Sequence, residues 1–405
     1  MPNNFPRDIT IDILIKLAVS SILRIKCVCK SWRSLIEDGQ FIKQHYDRYK
    51  NDTNCHKIFL ACIKYQYHCQ QYYSIDAPFE HDSSVSLLEH PPKINHKLTR
   101  ELVVSCCKYG LFLLAFSYDK IILWNPTIRE SRIIPRAIQV ENEQSYTSSL
   151  EDDKIVYGLG YVSTLEDYKI VRIGPKVPED GHYNIQIFST KNDSWKLMDK
   201  LPRDTYSDRA MVVADGIVYM ISHKKGKKFI LSLCVKNEKF EEILCPDGDL
   251  RIVSETLFTI GECLFLAKFF SPVNKMVDFE VWCMKKNGMS CSWNIMLTIP
   301  IPCIWNDRFW MQPVGFIRDG DMLFLRDKTE FVIYDSKRRN FQKVEVAELE
   351  ESLCLNWAGI VMQSTDKLEF VNFFNDTYVV YYYLSSMKFK EKKKFSLKCN
   401  ALNAK

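Results

Sequence analysis

Two different hydrophobic periods divide this chain. In its first 49 residues, Ile9, Ile13, Leu14 and Leu17 recur at helical spacing with Arg7, Asp12 and Lys16 between them, which predicts a first short helix with Asp8 as N-cap. Ser20 and Ser21 are placed to cap a second pattern that carries Ile22, Leu23 and Ile25 and runs into Cys27, Val28 and Cys29. Trp32, Leu35 and Ile36 continue on a third, Gly39 punctuates, and Phe41 to Tyr49 restarts a helix. A unit this small buries too little of its chain surface to be comfortable alone, and it holds more apolar residues than one small core needs. Its helices therefore pack either on the rest of the chain or on a partner.

From His56 onward the pattern is extended. Lys57 to Ile63, Gly110 to Phe116 and Lys120 to Trp124 are short apolar runs bounded by turn residues, as buried strands are. A loose repeat follows, reading turn glycine, strand, strand, polar turn, aromatic, strand. It runs through Gly110 to Pro135, Tyr157 to Pro202, Asp215 to Pro246, Ile260 to Pro300 and Asp319 to Val344. One four-stranded unit cannot cover both of its faces, so such units pack radially and close a ring that protects their edges. Units near 101–136, 154–202, 208–246, 253–301 and 311–348 make five, and Leu353 to Tyr383 with the strands between Lys57 and Ser74 supply a sixth. The expected architecture is α+β multidomain, a small helical module followed by an all-β propeller of about six blades. A β-sandwich is the competing arrangement, and the repeat disfavours it.

Specific residues sharpen the helical segment. Phe5-Pro6-Arg7-Asp8, Asp12-Ile13-Leu14, Leu17 to Arg24 and Cys27 to Ile36 resemble, in order and over its whole length, the plant F-box motif. The resemblance implies a module that docks on a Skp-type adaptor and, through it, on a cullin-RING core. The chain would then be the substrate-recognition subunit of an SCF-type (Skp-cullin-F-box) ubiquitin ligase. By position, Phe5, Pro6, Ile13, Leu14, Leu17, Leu23, Val28, Cys29 and Trp32 fall where the family places adaptor-contacting or module-core residues. Two departures stand out. Leu17-Ala18 replaces the usual Leu-Pro, removing a proline that fixes the first inter-helix turn, and Phe5 replaces a leucine. A chain with a degraded F-box would act instead as a non-ligase interaction scaffold, and that alternative stays open at this point.

Leu123 to Glu130, Asp167 to Val171, Val281 to Met284 and Ser292-Trp293 likewise resemble the F-box-associated, kelch-like domain of plant F-box proteins. Residues 1–50 are then the adaptor-docking module and 51–405 the substrate-recognition domain, whose target is a protein. If the chain is of the S-locus type, that target is a ribonuclease.

Composition adds mainly exclusions. The 46% hydrophobic and 26% charged content is that of a globular chain, no apolar run is long enough to span a bilayer, and the N-terminus mixes acidic with basic residues. A cytoplasmic or nuclear protein is expected, with no membrane partner. A net charge of +5 is too small an excess to argue for nucleic acid. Lysines 224, 225, 227 and 228 flank Gly226 at what reads as a hairpin tip, and five more lie at 388, 390 and 392–394; they read as solvated edges that would favour an acidic patch on a partner.

The fifteen cysteines are scattered and odd in number, which favours reduced thiols. Cys62, His68, Cys69 and His81 form a loose group whose spacing fits no zinc finger, so no metal or cofactor is expected. Gly158-Leu159-Gly160 lacks the following helix that would present N–H groups to phosphate, and reads as strand glycines. Asp193, Asp215, Asp319 and Asp335 sit in turns, where aspartate caps backbone first. The absence of any nucleophile or metal signature makes a non-catalytic receptor the expectation.

Overall fold

A computed structural model of the protein describes residues 6–49, 52, 55–64, 69–76, 85–91, 103–107, 110–116, 120–138, 155–162, 164–176, 183–198, 206–214, 216–224, 227–246, 251–260, 263–271, 276–287, 290–302, 311–318, 320–327, 330–344 and 353–362. Four helices come first: α1 (Arg7–Leu14), α2 (Val19–Ile25), α3 (Lys30–Ile36) and α4 (Gly39–Tyr49). Their starts differ from the expected ones. α1 begins behind Pro6 without a side-chain cap, leaving Asp8 inside the first turn, where its charge still favours the helix N-terminus. α2 begins behind Ala18, one residue ahead of Ser20. The side-chain cap that does form is Asp38, whose Oδ1 accepts the main-chain N–H groups of Gln40 at 2.9 Å and Phe41 at 3.3 Å.

The strands β1 (His56–Lys64), β2 (Cys69–Asp76) and β3 (Val85–Leu88) form the first sheet with β24 (Leu353–Met362). The second holds β4 (Val103–Cys107), β5 (Leu111–Phe116), β6 (Lys120–Asn125) and β7 (Glu130–Ile134); the third β8 (Val156–Val162), β9 (Asp167–Lys176), β10 (Tyr183–Ser189) and β11 (Ser194–Leu197). The fourth holds β12 (Tyr206–Ala214), β13 (Ile217–Lys224), β14 (Lys227–Cys234) and β15 (Lys239–Leu244); the fifth β16 (Ile252–Ile260), β17 (Cys263–Phe270), β18 (Met276–Asn287) and β19 (Ser290–Pro302). β20 (Met311–Arg318), β21 (Asp321–Arg326), β22 (Glu330–Asp335) and β23 (Asn340–Val344) complete the sixth.

Every sheet is a four-stranded antiparallel meander, and the first strands approach one another in a ring: β4, β8, β12, β16, β20, β24 and back to β4. β24 pairs with β1 from His56↔Met362 to Lys64↔Leu353, so a late strand and three early ones build one blade and close the circle. Six separate sheets exclude the β-sandwich. The run from Tyr378 to Ser396 lies outside the described residues.

Burial explains the strand sequences. β5, β8 and β10 are buried at every position because a neighbouring blade covers each face; β5 accordingly reads as an unbroken apolar run, while β10 also buries Asn184, Gln186 and Ser189. The fourth strands, such as β11 and β15, are largely exposed. Five apolar clusters lie between blades, and the largest joins Phe59 and Tyr72 of blade one to Phe112 and Trp124 of blade two and Leu323 and Phe331 of blade six. Phe59 stacks on Phe112 at 3.9 Å between ring centroids.

The recurring motifs have recurring tasks. Asp167, buried at the start of β9, accepts the hydroxyls of Ser189 at 2.5 Å and Thr190 at 3.1 Å and the Lys191 N–H at 2.9 Å, with the Lys169 ammonium 2.8 Å away. Asp321 does the same at β21, accepting the Ser336 N–H and hydroxyl. In blades three to six the aromatic of the outer strand packs on the cluster shared with the preceding blade: Trp195 with blade two, Phe240 with blade three, Trp293 with blade four and Phe341 with blade five. Both tryptophans also donate across the junction, Trp195 to the Pro135 carbonyl at 2.8 Å and Trp293 to that of Leu244 at 2.9 Å.

Gly160 has the opposite task. A Cβ there would stand 2.5 Å from Val213 Cγ1, so β8 and β12 approach this closely only because the residue has no side chain. The G-x-G is thus a packing feature of adjoining blades.

Candidate functional site

The helical module presents one apolar face inward and another outward. Leu14, Ile22, Leu35, Ile36 and Phe41 are buried together, with Ile11, Ile15, Leu17 and Ile25 packed against them. Ile9 and Ile13, one helical turn apart on α1, are 47% and 51% exposed, and Val28, in the turn between α2 and α3, is 65% exposed. β-Branched aliphatic side chains left this open carry no role in the module's own core.

The sequence candidates sort accordingly. Pro6, Ile13, Val28 and Cys29 are exposed, while Leu17, Leu23 and Trp32 are half-buried. Leu14 is 2% exposed, so it is a core residue and offers no surface to an adaptor. Phe5 lies outside the described residues. Ile9 was absent from the candidates although it shares Ile13's face; its place in the helical period was the available signal.

The turn before α2 is held from a distance. Ala18 has φ −62° and ψ 151°, a conformation that proline also adopts. His45 of α4, buried beneath Phe41 and Tyr49, donates from Nε2 to the Leu17 carbonyl at 2.8 Å. Burial lowers the imidazole's pKa, the Leu17 carbonyl partly offsets that, and Arg48 lowers it further. Glu37 ties α2 to α3, accepting from Lys26 at 2.9 Å and Arg33 at 3.1 Å. Cys29 precedes α3 with its sulfur 3.2 Å from the Ser31 hydroxyl, which, with the Trp32 backbone, draws the thiol pKa down.

On the propeller, the turn between third and fourth strands repeats a left-handed residue: Arg129, Asp193, Glu238 and Arg339 have φ of 58°, 52°, 57° and 54°. Three of these reach a neighbouring blade. Arg129 meets Glu89 at 3.1 Å, Asp193 meets Arg132 at 2.7 Å and Glu238 meets Lys196 at 2.7 Å. Asp335 caps its own turn, accepting from Lys337 and Arg338. Asp215 and Asp319 lie outside the described residues, as do His68, His81 and the lysines beyond residue 387. Cys62 is part of the apolar core between blades.

The lysine hairpin is paired in part within the propeller. β13 and β14 do meet at Lys224↔Lys227, but Lys224 is paired with Glu242 at 2.9 Å and Lys228 with Glu255 at 2.5 Å. Two of its four lysines are thus answered within the propeller, Lys227 is exposed, and Lys225 lies outside the described residues. Among the described residues no group of three or more His, Cys, Asp or Glu is placed to hold a metal ion, and no helix is long and apolar enough to cross a membrane.

Comparison with known proteins matches this division. A family model of the F-box domain covers residues 3–44, and one of the F-box associated beta propeller domain covers residues 67–386. An F-box/kelch-repeat protein of Arabidopsis thaliana is 26% identical over 84% of this chain and 90% of its own length. F-box protein CPR1 of the same plant is 24% identical over 86% of each chain. Among solved structures, a chain of a nidogen/laminin complex superposes with a TM-score of 0.42 at 9% identity, covering 76% of this chain and 99% of its own. With four F-box helices leading into a ring of six blades, this chain belongs to the plant F-box proteins that carry an F-box-associated beta propeller domain.

Proposed function

We propose that this chain is the substrate-recognition subunit of an SCF-type ubiquitin ligase, acting in the cytoplasm or nucleus. Residues 1–50 grip a Skp-type adaptor, and residues 51–405 hold a target protein. The observation that carries this reading is the outward set Ile9, Ile13 and Val28, left open on an F-box module whose core is already filled by Leu14, Ile22, Leu35, Ile36 and Phe41. Burying such aliphatic side chains against a partner contributes about 25 cal/mol per Å² of apolar surface.

The chemistry belongs to the other subunits. The receptor holds a target lysine near a charged conjugating enzyme, and proximity alone raises the effective concentration of the reacting groups. Loss of the Leu-Pro proline favours a scaffold without ligase function only if the turn is disordered by it. Ala18 in a proline-compatible conformation and the His45–Leu17 bond both argue for a docking-competent module. A target that is a ribonuclease follows if the chain is of the S-locus type.

The test is ubiquitin-remnant profiling under proteasome inhibition, comparing the wild-type chain with Ile13→Glu/Val28→Glu. A protein whose ubiquitination rises with wild type and not with the variant is the expected result. Identical profiles for the two chains would remove the receptor role.

A further inference from the structure

Blade five differs from the others at its outer edge. The outer strands β3, β7, β11, β15 and β23 have 4, 5, 4, 6 and 5 residues, whereas β19 has 13. Short edges and charged side chains are how sheets avoid unwanted pairing, and β7, β11, β15 and β23 each carry at least one charge. β19, Ser-Cys-Ser-Trp-Asn-Ile-Met-Leu-Thr-Ile-Pro-Ile-Pro, carries none.

Its regular part is also its open part. The register with β18 runs unbroken from Asn287↔Ser290 to Trp282↔Ile295 and shifts only beyond it, and the prolines come later, at 300 and 302. Cys291, Ser292, Asn294, Ile295 and Met296 are exposed, and among the described strands β19 pairs with β18 alone. Trp293 anchors the segment by its bond to Leu244 of blade four. Among the described residues this leaves a row of main-chain N–H and C=O groups with no strand beside it, whose natural complement is another extended backbone.

Charge narrows the partner. Lys285 and Lys286 lie directly across from Ser292 and Cys291 and are exposed, with no carboxylate at ion-pair distance among the described residues. The intervening side chains are small, so both ammonium groups can reach over β19 to a strand beside it.

We propose that the free edge of β19 from Ser290 to Ile295 takes up an extended segment of the target protein as a fifth strand of blade five. That segment alternates apolar with small polar residues and carries acidic side chains opposite Lys285 and Lys286. Calling the segment the target's rests on the receptor reading above; the edge's affinity for such a strand does not.

The probe is a synthetic peptide alternating valine and threonine with two glutamates at one end. Controls carry glutamine for glutamate or proline at alternate positions. Hydrogen exchange is followed on the full-length chain, alone and with a Skp-type adaptor. The acidic peptide should slow exchange of the Ser290–Ile295 amides by about tenfold or more. Ile295→Lys, at a half-exposed position that leaves the core untouched, should remove that protection. Lys285→Ala/Lys286→Ala should make the glutamate and glutamine peptides equal. Protection absent, located elsewhere or equal with the proline control overturns the inference. So does concentration-dependent self-association that Ile295→Lys abolishes, because a second copy is then the occupant. Adaptor co-elution from the same samples separates the two readings, since its failure with edge protection intact removes the receptor role alone.

Discussion

His45 Nε2 lies 2.8 Å from the main-chain oxygen of Leu17, joining the fourth helix to the turn between the first two. The bond spans 28 residues and stands beside the position where the family's proline is missing. A buried imidazole with a lowered pKa makes module stability depend on pH. The unfolded chain protonates near the ordinary value of 6.5 and the folded one only below it. The stabilisation is therefore complete above about pH 6.5 and declines as pH falls toward the depressed folded value. Thermal melts of the F-box signal should show this slope. His45→Gln, whose amide can make the same bond, should flatten it, and His45→Ala should cost about 1–3 kcal/mol at pH 7.5 by stranding the Leu17 carbonyl.

Ala18 offers the converse change. Its φ of −62° suits proline and its N–H donates to no main-chain carbonyl among the described residues, so Ala18→Pro should stabilise the module by about 0.4–1 kcal/mol through a stiffer unfolded chain. Denaturant titration measures it. A loss of stability would mean the turn is not in the conformation described.

Neighbouring residues on α1 should separate core from surface. Leu14→Ala removes a fully buried side chain and should cost about 2–5 kcal/mol, while Ile13→Ala should stay within about 0.5 kcal/mol. That contrast was not legible in the sequence. Ile9, Ile11, Ile13, Leu14 and Ile15 are apolar nearly all round the helix, so periodicity located the element without choosing its inner face. The caps differ from the sequence pattern for a related reason. Asp8 and the serines have the right chemistry, but Pro6 and Ala18 already had the extended conformations that begin the helices. Asp38, the one side-chain cap, hid before a glycine.

The propeller was legible wherever its task was local. Strand runs and turn residues recur from unit to unit, an outer-strand aromatic joins them in blades three to six, and the ring follows from them. Ties between blades were not, because Arg132 meets Asp193 and Trp195 meets Pro135 only once blades two and three have packed side by side. Trp195→Phe keeps the packing and removes the indole donor, so a loss of about 0.5–1.5 kcal/mol is expected in chemical unfolding. Gly160→Ala should cost more, about 1–3 kcal/mol, because Val213 must move.

Thiol chemistry distinguishes the two domains. The exposed Cys29, its pKa lowered by the Ser31 hydroxyl and the Trp32 backbone, should react with iodoacetamide at pH 7.5 before Cys245, whose thiol burial and Glu255 push up to about 11. Peptide mapping by mass spectrometry reads the order, and adaptor bound over Val28 should slow Cys29 and leave Cys245 unchanged.

The central claim is that this chain docks on a Skp-type adaptor through its outward aliphatic face. Co-expression with the adaptor, followed by capture of the full-length chain and measurement of adaptor recovered per chain, tests it directly. The account predicts stoichiometric recovery with wild type and at least about tenfold less with Ile13→Glu/Val28→Glu, at unchanged propeller stability. Equal recovery with both, or none with wild type, would contradict it.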